Sequence, residues 1–201
     1  MQHWKAVKHL FRYVQGTKDL RLTYRPDPSQ DSLFTAFADG VFEKHHQFST
    51  YTDADFAGDK DNLKSTNGFI VKIGSGAISW KSKLQGKLAR SSTEAEFYGA
   101  GLAGTEIIWL RQLLGELGRT FPGPSPLHVD NQSTIQVLND SVQNSRMKHI
   151  TLDEYWIRDE VSVRKNISIH HCPTAVMPAD LLTKALPRVL VESHRQRMGL
   201  F

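Results

Sequence analysis

The spacing of apolar positions along this chain changes several times, and each change marks a new element. Near the start His3, Trp4, Val7, Leu10, Phe11 and Val14 recur at helical spacing, and Gly16 is a stop signal. Residues 20–24 then alternate apolar and polar, as an edge strand does. Residues 26–31, rich in Pro, Asp, Ser and Gln, read as a loop and the best boundary. Residues 34–49 fit no period and read as a linker or insertion. From Phe48 a period of two takes over. It predicts strands over 48–56, 68–73 and 77–81, the last two joined by Gly74-Ser75-Gly76 as a hairpin turn. Ser92-Thr93 with Glu96 matches a capping box if Thr93 is the cap. The helix behind it carries Ala100, Ala103, Ile107, Leu110, Leu114 and Leu117 on one stripe, with Gly118 as its stop. After a Pro/Gly loop come a short strand (127–130), a short helix (131–138), a longer helix (148–165) and a fifth strand (167–171). A last helix begins at 179–185, is interrupted by Pro187 and resumes over 189–198. A three-strand meander followed by alternating helices and strands predicts an α/β fold: a mixed sheet with helices on its faces.

Composition narrows this picture only a little. At 201 residues the chain holds one core, or one domain plus an appendage. No apolar run reaches membrane-spanning length, and the basic, amphipathic start lacks a signal-peptide core. The single cysteine, Cys172, excludes an internal disulfide and fits a reducing compartment. The net charge of +4 permits a polyanionic partner without demanding one. Basic residues are locally clustered, with Lys81, Lys83, Lys87 and Arg90 in one run and Arg146, Lys148 and His149 in another. Such runs are also what a solvated surface looks like.

The acids change the picture more. The stretch YTDADFAGD places Asp53, Asp55 and Asp59 in seven residues, the first two in a predicted strand. Neighbouring carboxylates repel, and a hard divalent cation would offset that repulsion if other acids converged on the same point. Asp130 ends the fourth strand and Asp180 opens the last helix. Glu94 and Glu96 lie about 200° apart on a helix, so only one can share such a site. Stepping back along the apolar stripe by three and four lands on Glu96, which therefore faces the sheet. A carboxylate there is costly unless it is ionically satisfied. Taken singly, each acid has a plainer role: Glu96 as partner of Thr93 in the capping box, Asp130 and Asp180 as helix caps.

The motifs YTDADFAGD, KSTNGF, GAISWKSK, SSTEAEF, IWLRQLL, VDNQS, KHI and ADLLTKALP occur in this order and spacing. Together they closely resemble the ribonuclease H region of copia-type (Ty1/copia, Pseudoviridae) retrotransposon Pol polyproteins, from about Tyr51 to Phe201. The opening HWKAVKHLFRYVQGTKDLRLTY resembles the connection segment that precedes ribonuclease H in the same elements. The resemblance implies a ribonuclease H-like fold: a five-stranded mixed sheet, antiparallel over its first three strands, flanked by helices. It implies a connection-like segment and linker over 1–47, which is a helix-strand extension, and a ribonuclease H domain over 48–201. It implies that Asp53, Glu96, Asp130 and Asp180 hold two Mg²⁺ ions, with Mn²⁺ as a substitute, and that Asp53 bridges both. The implied activity is hydrolysis of the RNA strand of RNA–DNA hybrids during reverse transcription, in a cytoplasmic retrotransposon particle or the nucleus. The implied partners are the hybrid and the reverse transcriptase domain of the parent polyprotein. Ser91, Ser92, Asn131 and Gln132 are the family's candidates for reading the ribose 2′-hydroxyl. Lys81, Lys83, Lys87 and Arg90 are candidates for phosphate contact. The alternative is a non-catalytic module of the same fold that binds nucleic acid or a protein. One departure counts for that alternative. The loop 172–177 before the fourth acid lacks the histidine that many ribonucleases H place there, and His170 and His171 belong to the preceding strand.

Overall fold

Strand-forming residues flank one tight turn in the first half of the sheet. The computed structural model describes residues 2–25, 48–121, 123–139 and 152–201. β1 (Ser49–Asp55), β2 (Thr66–Ile73) and β3 (Gly76–Leu84) form an antiparallel meander. β4 (Ser125–Val129) then pairs parallel to β1, and β5 (Ile167–His171) parallel to β4. The order β3-β2-β1-β4-β5 makes the five-stranded mixed sheet that the resemblance implies. β1 and β4 pair only at Thr50–Leu127 and Tyr51–His128, so they part towards their C-terminal ends. Openings of this kind, beyond the carboxyl ends of parallel strands, are where α/β sheets place ligands.

Five α-helices accompany the sheet among the described residues: α1 (Gln2–Thr17), α2 (Ser92–Glu116), α3 (Gln132–Asn139), α4 (Leu152–Ser162) and α5 (Arg188–Arg197). Ala100, Ala103, Ile107 and Leu110 of α2 are buried with Phe69, Val71, Leu127, Val129, Ile157 and Ile167 in the main core. A fully buried side chain of Ile or Phe size contributes about 1.5–3 kcal/mol. Leu114 packs at the margin of this core and Leu117 is exposed, so the stripe leaves the sheet one turn before Gly118. Gly118 has φ +76°, the left-handed conformation that ends helices.

The opposite face of the sheet is covered by the C-terminal segment. Met198, Leu181 and Leu182 pack there on Ile70 and Ala77. Gly68 makes this contact possible, because a Cβ there would lie 2.8 Å from Leu182 Cβ and 2.7 Å from Thr183 Cγ2.

Three elements differ from expectation. Residues 20–24 form a single antiparallel bridge, Leu22 with Leu200, instead of a strand. Arg21 N donates to Phe201 O at 2.8 Å and Thr23 N to Gly199 O at 2.7 Å, and the short segment 199–201 offers no longer ladder. The expected helix over 179–185 is a 3₁₀ helix, Pro178–Leu182, preceded by a 3₁₀ turn, Thr174–Val176. Pro187 follows closely and disfavours helical backbone before it. The capping box at α2 is displaced by two residues, to Ser91 with Glu94. The apolar face of α1 is uncovered: Trp4, Leu10, Phe11 and Val14 are all exposed. The expected loop 26–31, the linker over 34–47 and the cluster Arg146, Lys148 and His149 lie outside the described residues.

Candidate active site

The start of α2 decides what Glu96 is free to do. Ser91 is the N-cap, and its side chain accepts from Glu94 N at 3.1 Å. Glu94 in return accepts from Arg90 N at 2.8 Å and from the Tyr98 hydroxyl at 2.6 Å. The box is therefore Ser91 with Glu94, and Glu96 has no part in it. Instead Glu96 turns to the sheet, where Oε1 accepts from Ala54 N at 3.2 Å in the opening between β1 and β4.

The plainer roles of the other two acids also go elsewhere. Asn131, not Asp130, caps α3, with Oδ1 accepting from Thr134 N at 3.1 Å. Asp130 Oδ2 accepts from Thr174 Oγ1 at 2.8 Å. Asp180 sits within the 3₁₀ helix, and the cap position before it, Met177, makes no side-chain capping bond.

Asp53, Glu96 and Asp130 each present a carboxylate oxygen within 4.8 Å of the others. Asp53 is fully buried, and Glu96 and Asp180 are 5% exposed. Asp180 joins the group through Lys184, whose Nζ lies 3.0 Å from Asp180 Oδ1 and 3.1 Å from Asp53 Oδ1. Thr183 Oγ1 donates to Asp53 Oδ2. Three of the four expected acids thus meet at the parted ends of β1 and β4, and the fourth, Asp180, is linked to Asp53 through Lys184.

The electrostatics follow from this crowding. Burial, with repulsion from Asp53 and Asp130, pushes Glu96 up to about 9. Burial and the Asp53 charge push Asp180 up to about 6, although its bond to Lys184 works the other way. Burial opposes the charge on Lys184, but Asp53 and Asp180 outweigh it and raise its pKa. Glu96 Oε2 is buried with no hydrogen-bond partner among the described residues. A buried, unpartnered oxygen on one member of a group of three carboxylates fits a hard cation, which takes oxygen ligands.

The other candidates are placed as follows. Thr134 Oγ1 donates to Thr93 O at 3.3 Å, which ties the start of α3 to the start of α2. Ser91 and Ser92 are thereby brought near Asn131 and Gln132. Lys81 and Lys83 lie on the exposed outer half of β3, the edge strand, on the face shared with Phe69 and Asn67. Lys83 and Lys87 line one cleft of about 350 Å³ with Tyr98 and Trp156. Arg90 precedes the cap of α2. Asp55 ends β1 with its carboxylate folded over Gly58, where a Cβ would clash with it. His170 stands 2.9 Å from Ser168 Oγ and beside the His128 ring, on the sheet rather than in the loop before Asp180.

Three residues of the site escaped the sequence reading: Thr174, Thr183 and Lys184. For Lys184 there was a signal, since Asp180 and Lys184 are spaced as a helical ion pair. Thr174 and Thr183 left none.

No protein-family model matches the chain. The chain is 37% identical over 199 residues to the retrovirus-related Pol polyprotein from transposon TNT 1-94 of Nicotiana tabacum, covering 99% of the chain and 14% of the relative. It is 36% identical over 201 residues to the retrovirus-related Pol polyprotein from transposon RE2 of Arabidopsis thaliana, covering 98% of the chain and 12% of the relative. It therefore spans about one-seventh of these relatives' length or less. Among solved structures, LC11-RNase H1 in complex with RNA/DNA hybrid is similar with a TM-score of 0.49 and 14% identity, over 68% of this chain and 94% of that one. By sequence, nearly the whole chain is similar to one segment of the retrovirus-related Pol polyproteins of these plant transposons.

Proposed function

We propose that the chain is the ribonuclease H portion of a retrotransposon Pol polyprotein, a divalent-metal-dependent endonuclease that cuts the RNA strand of RNA–DNA hybrids. The observation that carries this reading is the convergence of Asp53, Glu96 and Asp130, with Glu96 Oε2 buried and without a hydrogen-bond partner among the described residues and Asp180 joined to Asp53 through Lys184. Its similarity to a retrovirus-related Pol polyprotein supports a nucleic-acid substrate. On this reading residues 48–201 form the nuclease domain and 1–47 a connecting segment towards a reverse transcriptase partner. The protein acts in a cytoplasmic particle of the element or in the nucleus.

Asp53, Glu96, Asp130 and Asp180 would hold two Mg²⁺ ions, or Mn²⁺ in their place. When bound, such a pair promotes attack of water in line at phosphorus and offsets the charge on the leaving 3′ oxygen. The chain's own contribution is positional. The Ala54 N–H fixes one oxygen of Glu96, and Thr174 fixes one of Asp130. Ser91, Ser92, Asn131 and Gln132, at two adjoining helix starts, are set to hydrogen-bond the RNA backbone and its 2′-hydroxyls. Lys81, Lys83, Lys87 and Arg90 add phosphate contacts that hold the duplex without reading its sequence.

The test is a hybrid labelled on either strand, incubated with Mg²⁺ or Mn²⁺ and with wild type beside Asp53→Asn. Cleavage confined to RNA, lost by at least about a hundredfold in the variant, is the expected result. Tight binding of the hybrid without cleavage by wild type would replace the enzyme with the non-catalytic module.

A further inference from the structure

The ammonium of Lys184 occupies ground that a divalent ion would also claim. It lies between Asp53 Oδ1 and Asp180 Oδ1, at 3.1 and 3.0 Å, and its side chain keeps 31% of its surface exposed. The hydroxyl of the preceding residue, Thr183, donates to the other oxygen of Asp53. Both oxygens of Asp53 are thus engaged by 183–184. On the other side of the site Glu96 Oε2 has no partner among the described residues. The site is therefore lopsided: one half carries a cation of its own, and the other half is buried carboxylate oxygen.

Resting on the metal-dependent reading above, we propose that Lys184 is a built-in counter-cation. It competes with one divalent ion for Asp53 and Asp180, so that without nucleic acid the chain loads a single ion, on the side of Glu96 and Asp130. The ammonium already fills the space between Asp53 Oδ1 and Asp180 Oδ1, so a divalent ion bound to both oxygens would have to displace it. The four-carbon stem of a partly exposed lysine lets the ammonium swing out. A phosphate of a bound strand gives it a new partner. Entry of substrate and loading of the second ion are coupled in this way. The chain also avoids holding a bare cluster of four acids when no metal is at hand.

Mn²⁺ titration of the full chain without nucleic acid tests this, by calorimetry and by the electron paramagnetic resonance signal of free Mn²⁺. Wild type is expected to bind one Mn²⁺ per chain. Lys184→Met is expected to bind two, or to bind the first at least about tenfold more tightly. Lys184→Arg keeps the charge and is expected to keep the wild-type count. Where circular dichroism shows that Lys184→Met does not fold, Lys184→Gln supplies the same comparison. Asp53→Asn is the reference for the site itself. If Lys184→Met binds Mn²⁺ as wild type does while Asp53→Asn loses it, the counter-cation is refuted and the metal site stands. If Asp53→Asn leaves Mn²⁺ binding unchanged, the metal reading falls, and this inference with it.

Discussion

Glu96 is the residue whose environment departs furthest from its sequence neighbours. Its pKa is raised from its ordinary value to about 9, by burial first and then by Asp53 and Asp130. In the folded chain it therefore keeps its proton at a pH where the unfolded chain has released it. Between these two values the native state binds more protons, so stability without metal falls as pH rises. Asp180, pushed up to about 6, acts in the same direction below that pH. His128, lowered to about 4 by burial and by neighbouring His170 and Lys72, acts in the opposite direction below its ordinary value of 6.5. From pH 6.5 to 9 Glu96 thus outweighs the other two groups, with a slope of up to about 1.4 kcal/mol per pH unit. Metal-free wild type should lose thermal stability across this range, and Glu96→Gln should flatten the loss. Mg²⁺ should also flatten it in wild type, by rewarding the ionised form. A wild-type midpoint that holds steady from pH 6.5 to 9 without metal would contradict the buried, crowded state of this carboxylate. The sequence made the sheet-facing direction of Glu96 legible, because apolar periodicity along one helix is local information. It left the cap ambiguous, since SSTEAE offers both Ser91 with Glu94 and Thr93 with Glu96, and only the contact with Ala54 separates them.

At the scale of elements, the site depends on how closely the segment 178–184 approaches β2. Gly68 stands opposite Asp53 in the β1–β2 ladder. A Cβ on it would meet Thr183 Cγ2 at 2.7 Å, Leu182 Cβ at 2.8 Å and the Ala179 carbonyl oxygen at 3.1 Å. Leu182 Cβ and the carbonyl are not flexible ends that can swing aside, so the whole segment must shift. Gly68→Ala should therefore cost about 1–3 kcal/mol in denaturant unfolding. It should also weaken Mn²⁺ binding, because Asp180 and Lys184 ride on the displaced segment. Unchanged stability together with unchanged Mn²⁺ affinity would show that the packing is looser than these distances. The five strands and α2 were readable from periodicity, since each carries enough residues for a pattern to stand out. The segment 178–184 was not. Its short 3₁₀ form, between Pro178 and Pro187, is set by what it packs on: Ile70 and Ala77 of the sheet lie far away in sequence. The pairing of Leu22 with Leu200 was hidden for the same reason, its two partners being near opposite ends of the chain.

Over the whole molecule the charges are divided. A pocket of buried acids sits at the parted ends of β1 and β4, while lysines line the outer half of the edge strand β3, in a chain whose net charge is +4. An RNA–DNA hybrid drawn to the lysines would be repelled by uncompensated acids, so the two regions can serve one substrate only if cations offset the pocket. Lys184 supplies part of that offset when no divalent ion is bound. The basic side should then behave as a counterion-release surface, with affinity that falls as salt rises and no dependence on base sequence. Each lysine that touches a phosphate adds about 0.7–0.9 to the slope of log affinity against log salt. Binding can be read without cleavage by using Asp53→Asn with a fluorescent hybrid at several salt concentrations. In that background Lys81→Gln with Lys83→Gln should weaken binding and lower the slope by about 1.5. The loss should be the same for hybrids of unrelated sequence. A double variant with the parent's salt slope would place the duplex elsewhere on the surface. It would leave the acid cluster to be approached from the side of α3, across Asn131 and Gln132.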